Sequence, residues 1–112
     1  MESNFELAGT ELNASLTLIG STTGNSVISI PESVNQILVL LKAGSEYASL
    51  QLVKGLYADY IVDGYVHATN SRWYGFYCII NYSASGVYLK DAVNIDTKAN
   101  IVSSTEVRVY GK

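Results

Sequence analysis

Trp73-Tyr74-Gly75-Phe76-Tyr77-Cys78-Ile79-Ile80-Asn81-Tyr82 is the stretch on which the fold turns. Side chains on a strand alternate between two faces. Here Trp73, Tyr77 and Ile79 take one face, and Tyr74, Phe76, Cys78, Ile80 and Tyr82 take the other. A single strand over residues 73–82 is therefore expected to be apolar and aromatic on both sides. Residues 36–42, Gln-Ile-Leu-Val-Leu-Leu-Lys, have the same two-sided character and read as a buried strand, with a helical turn over 31–35 as the alternative. A two-layer sandwich buries one face of each strand. The second face needs a cover. A neighbouring subunit is the economical one, because large exposed apolar patches are unusual on a monomer. A loop or the N-terminal segment is the other candidate.

Working outward, strand signals recur at short spacing and no sustained helical stripe appears. Residues 15–19 put Leu16 and Leu18 on one face, and the cluster Gly20-Ser-Thr-Thr-Gly24-Asn25 reads as a turn. Residues 26–30 form a short strand signal that Pro31 stops. Residues 43–46 read as a loop, and 48–54 alternate Leu50 and Leu52 against Ser49 and Gln51 before Gly55 breaks the pattern. Asp63-Gly64, between two apolar arms, matches a type I′ hairpin. Further turns are expected at 70–72 and 83–86, and strands at 86–95 and 105–110, with Val107 and Val109 inward. Without a βαβ rhythm, the expectation is an all-β, antiparallel β-sandwich, jelly-roll-like, of about eight strands. One domain is expected over 1–112, with 1–12 as an extended N-terminal arm.

Composition narrows the function classes. The 112 residues are 48% hydrophobic and only 15% charged, against a usual charged share of about 25%. Much of the polar surface must come from Ser, Thr, Asn and Tyr. The net charge of −3 comes from 7 basic and 10 acidic residues, and the basic ones are scattered. Nucleic-acid binding needs a clustered cationic face, so it is not expected. No apolar run reaches membrane-spanning length, so membrane insertion is not expected. The start, Met-Glu-Ser-Asn-Phe-Glu, lacks a basic region followed by an apolar one, and synthesis in a cytoplasm is expected. The sequons at Asn13 and Asn81 carry little weight in that setting.

Chemistry-bearing residues are sparse. Cys78 is the only cysteine, which leaves neither an intrachain disulfide nor a thiolate zinc site, and its alternation with Phe76 and Ile80 reads as a buried thiol. His67, the only histidine, has no second ligand at metal spacing. Asp59 with Asp63, or Asp91 with Asp96, would be the acid pairs of a glycosidase, yet nothing in the sequence raises a pKa at either. No nucleophile elbow, P-loop or dinucleotide fingerprint occurs. No catalytic residue, metal or cofactor is expected, and the chain reads as a non-enzyme. A two-residue hairpin at Asp63-Gly64 would place Tyr60, Val62, Tyr65 and His67 on one face. Tyr60, Tyr65 and His67 are therefore the expected ligand contacts, offering rings to stack on a sugar. A cross-strand aromatic cluster is the alternative use of the same residues. Trp73, Tyr74 and Tyr77 are expected to serve packing or an interface. Nine tyrosines in this length favour binding surfaces in general.

The run Leu18-Ile19-Gly20-Ser-Thr-Thr-Gly24-Asn-Ser-Val-Ile-Ser-Ile30-Pro31-Glu-Ser-Val-Asn35-Gln-Ile-Leu-Val39, followed by the tyrosine-rich strand and by Ser104-Thr-Glu-Val-Arg-Val-Tyr110, resembles small β modules of tailed bacteriophages and prophages. The resemblance covers about residues 16–110, although Gln36 stands where an acid is expected. It implies a virion accessory of the tail-fibre, baseplate or head-decoration type, often homotrimeric, that attaches to other virion proteins or binds cell-surface glycans. It supplies no fixed site residues. A monomeric carbohydrate-binding module of a bacterial surface or secreted protein is the alternative.

Overall fold

The computed structural model describes residues 16–64, 67–70 and 72–112. Nine strands are described: β1 (Thr17–Thr23), β2 (Gln36–Ala43), β3 (Glu46–Val53), β4 (Ala58–Asp63), β5 (His67–Thr69), β6 (Arg72–Tyr74), β7 (Phe76–Ser83), β8 (Gly86–Asn94) and β9 (Glu106–Gly111). A four-stranded sheet has the order β1-β9-β2-β3, a three-stranded sheet has the order β4-β7-β8, and β5 and β6 form a separate hairpin. Every strand pairing is antiparallel.

The two sheets face each other across one core. Ile37, Val39, Leu41, Leu52, Val107 and Val109 come from the first sheet, and Val62, Phe76, Cys78, Ile80, Val87, Leu89 and Ala92 from the second. This is the antiparallel β-sandwich that the sequence pattern implies. Full burial of each large aliphatic or aromatic side chain favours the fold by about 1.5–3 kcal/mol before the ordering entropy is counted.

Four local expectations differ. The cluster at 20–23 is strand rather than turn, because β9 supplies it with ladder partners from Gly20↔Val109 to Thr23↔Glu106. A Cβ on Gly20 would lie 2.9 Å from Ile28, so this glycine serves a close approach. The turn begins at Gly24, whose φ is 97°. Residues 26–30 contribute only an isolated bridge, Ile28↔Val87. The aromatic stretch is two strands rather than one, because Gly75 (φ 127°) breaks it between β6 and β7.

The fourth difference concerns Asp63-Gly64. A type I′ turn needs positive φ at both central residues, and neither has it. Asp63 instead continues β4 opposite Tyr77. Gly64 donates to the Phe76 carbonyl at 2.8 Å, and a Cβ there would sit 2.0 Å from the Phe76 ring. Glycine is used for close packing against an aromatic ring, not for a bend.

β2 is buried on both sides. On the face away from the core, Leu38 and Leu40 are each 2% exposed, with Leu16, Tyr47 and Tyr110 packed on them. This second face is covered within a single chain. β7 is different: Phe76, Cys78, Ile80 and Tyr82 are buried inward, while Tyr77 and Ile79 remain half-exposed outward.

Candidate functional site

Among the expected site residues whose side chains are described, the β5–β6 hairpin presents the most open aromatic ring. Its register is His67↔Tyr74, Ala68↔Trp73 and Thr69↔Arg72, and Asn70, which follows β5, has φ 52°. Alternation puts Ala68 and Trp73 on one face and Tyr74 and Arg72 on the other. Ala68 is too small to cover an indole, and Trp73 is 61% exposed. Its ring is a flat apolar surface in water.

The opposite face of the hairpin is tied to the body. The Arg72 guanidinium donates two hydrogen bonds to the Asp96 carboxylate, at 3.1 and 2.5 Å. It also lies 5.6 Å from the Tyr74 ring centre, a cation–π distance. The Asp96 hydrogen bonds raise the guanidinium pKa further, so Arg72 stays charged. Asp96 is itself held in place, because the Asn94 side-chain oxygen accepts from the N–H groups of Asp96 (2.9 Å) and Thr97 (3.0 Å). At the base, the Ile95 N–H donates to the Gly75 carbonyl at 2.9 Å. The exposed indole thus stands on a hairpin anchored at its base and along one side.

The expected contact residues are not assembled by a common hairpin. Tyr60 sits on β4 opposite Ile80, faces the core half-buried, and donates its hydroxyl to the Leu56 carbonyl. It thereby orders the segment that leads into β4. Tyr65 lies outside the described residues. His67 is placed by its backbone in β5 opposite Tyr74, and its side chain is likewise outside what is described. Because β4 pairs with β7 and β5 with β6, Tyr60 and His67 are not cross-strand partners. Of the three residues expected to pack, Trp73 is exposed, Tyr74 is half-buried beside Arg72, and Tyr77 is half-buried on the outer face of β7. Sequence reading missed Tyr57. It is 54% exposed and meets Tyr82 edge to face with ring centres 4.9 Å apart.

Asp59 is engaged in a way that opposes general-acid chemistry. Asp59 accepts from Lys90 at 2.6 Å and from Asn81 at 2.8 Å, and these bonds hold its pKa below the usual carboxylate value, where a glycosidase acid would need it raised. Cys78 is pushed up to about 12, chiefly by burial and then by the charge of Asp91. A neutral, buried thiol is a poor nucleophile. Among the described residues no group of three or more His, Cys, Asp or Glu could hold a metal ion, and no helix is long and apolar enough to cross a membrane. Two depressions lie away from the hairpin: one of about 300 Å³ between Leu16, Leu38 and Val53, and a polar one of about 490 Å³ beside Asn25, Lys90 and Asn100.

No protein-family model matches the sequence, and neither the curated proteins nor the solved structures contain a match to it.

Proposed function

We propose that this chain is a non-catalytic binding module of a tailed-phage or prophage virion, and that it contacts a cell-surface glycan through the face of Trp73. The observation that carries the reading is the uncovered indole opposite Ala68 on an anchored hairpin. An exposed ring gains by stacking against the C–H face of a sugar, and a ring already held in place loses little entropy on binding. Trp73 therefore replaces Tyr60 among the leading contacts, with Ala68 as its cross-strand neighbour on the same face. The virion setting rests on the resemblance of residues 16–110 to phage β modules.

Multivalency would raise a weak sugar contact to useful avidity, and a homotrimer remains the favoured assembly. The alternative, a monomeric carbohydrate-binding module, would use the same indole. It is favoured by the burial of Leu38 and Leu40 within one chain, which removes one of the two faces that would call for a second subunit. Trp73 is the only tryptophan, so intrinsic indole fluorescence reports on this site alone. Titration with bacterial surface polysaccharides is expected to shift or quench that emission. Unchanged emission with polysaccharides that the protein demonstrably retains would move the contact elsewhere.

A further inference from the structure

The outer edge of β4, unpaired by any strand among the described residues, has the makings of a second binding surface, independent of Trp73. Gly64 donates to the Phe76 carbonyl at 2.8 Å. The β4–β7 register runs without a shift from Ala58↔Tyr82 to Asp63↔Tyr77. Hydrogen-bonded pairs alternate along an antiparallel ladder, so Ala58, Tyr60 and Val62 bond to β7. The N–H and C=O groups of Asp59, Ile61 and Asp63 point the other way, and among the described residues no strand pairs with them. The far edge of the same sheet is different: bridges Ile28↔Val87 and Val93↔Asn100 close it along β8.

Natural sheet edges are usually blunted by charge, bulges or proline. β4 has no bulge or proline, and at its centre Ile61 is 75% exposed. Ile61 lies beside Ile79 of β7 on the outer face, so an apolar row ends abruptly at the edge. Asp59 and Asp63 flank it. Lys90 and Asn81 already engage Asp59, whereas Asp63 has no hydrogen-bond or ion-pair partner among the described residues. A second copy is a poor occupant. In the two-fold register that sets Ile61 against Ile61, each Asp59 falls opposite the Asp63 of the other copy, and like charges directly opposite are destabilising.

We propose that the β4 edge accepts an extended segment of a different protein by strand addition, with an apolar residue opposite Ile61 and a cationic residue opposite Asp63. Main-chain bonds to Asp59, Ile61 and Asp63 supply the attachment, and the charge next to the apolar centre selects the partner.

The test uses the peptide Thr-Lys-Thr-Ile-Thr-Lys-Thr, which offers a lysine to Asp63 in either strand direction. Amide exchange followed by NMR is expected to slow at Asp59, Ile61 and Asp63 and to stay unchanged at Tyr60 and Val62, which already bond to β7. Replacing both lysines by glutamate should weaken binding by about tenfold or more, and Asp63→Lys should remove that preference. Ile61→Pro should abolish binding with the fold retained, since its N–H serves no ladder bond. Absence of slowed exchange, slowing along β3 instead, equal affinity of the wild type for the two peptides, or an undiminished preference in Asp63→Lys would each overturn the proposal. If Ile61→Pro fails to fold, the Asp63→Lys comparison decides alone.

Discussion

Trp73 carries the functional reading because its surroundings are so spare: a small residue across the ladder and solvent over the ring. Trp73→Ala should therefore change unfolding free energy by no more than about 0.5 kcal/mol, as for other surface positions. It should nonetheless abolish glycan binding, which urea unfolding and a binding titration check together. Cys78 stands at the other extreme. Its thiol should resist Ellman's reagent at about pH 8 in the folded protein and react at once in denaturant. Its raised pKa also has a sign. Between the unfolded value near 9 and the folded value of about 12 the folded chain keeps a proton that the unfolded chain loses, so this thiol favours folding below about pH 9 and that contribution falls as pH rises towards 12. Urea midpoints at about pH 8 and about pH 10.5 should drop for the wild type more than for Cys78→Ala.

At the scale of elements, glycine decides where strands bend and where they touch. Gly64 lies against the Phe76 ring and Gly86 (φ 130°) has a Cβ position 2.2 Å from the Ile28 carbonyl oxygen. Gly64→Ala and Gly86→Ala should each cost about 2 kcal/mol or more by urea unfolding, since overpacking and a left-handed alanine are both unfavourable. Asp96→Asn should loosen the β5–β6 hairpin without unfolding the sandwich, read as greater acrylamide quenching of Trp73 at an unchanged melting temperature. The strands at 36–42, 86–95 and 105–110 were legible in the sequence because apolar alternation there coincides with burial. Asp63-Gly64 was misread because a turn dipeptide and a close-packing glycine look the same in one dimension. Only the position of the Phe76 ring separates them. Misreading that turn displaced the candidate site, since it joined Tyr60 to His67 across a hairpin that does not form. The exposure of Trp73 was equally hidden. Alternation assigned it a face, but the break at Gly75 detached that face from the sheet.

At the scale of the molecule, two sheets enclose one core, and their outer faces differ. Leu40 points away from the core yet is 2% exposed, whereas Ile61 is 75% exposed. Leu40→Ala should cost about 2–4 kcal/mol, as at a core position, and Ile61→Ala less than about 1 kcal/mol. Equal small losses would mean that the outer face of β2 is not sealed in solution. Light scattering across a dilution series then separates the assemblies: a stable mass of three 12.1 kDa chains supports the multivalent virion reading, and a monomer supports the isolated binding module. The most direct measurement is a glycan array of bacterial surface polysaccharides probed with wild type and with Trp73→Ala. The expected result is retention of at least one glycan by the wild type and its loss in the variant, with both proteins equally folded. Failure to bind any glycan, or equal binding by the variant, would contradict a glycan contact at Trp73.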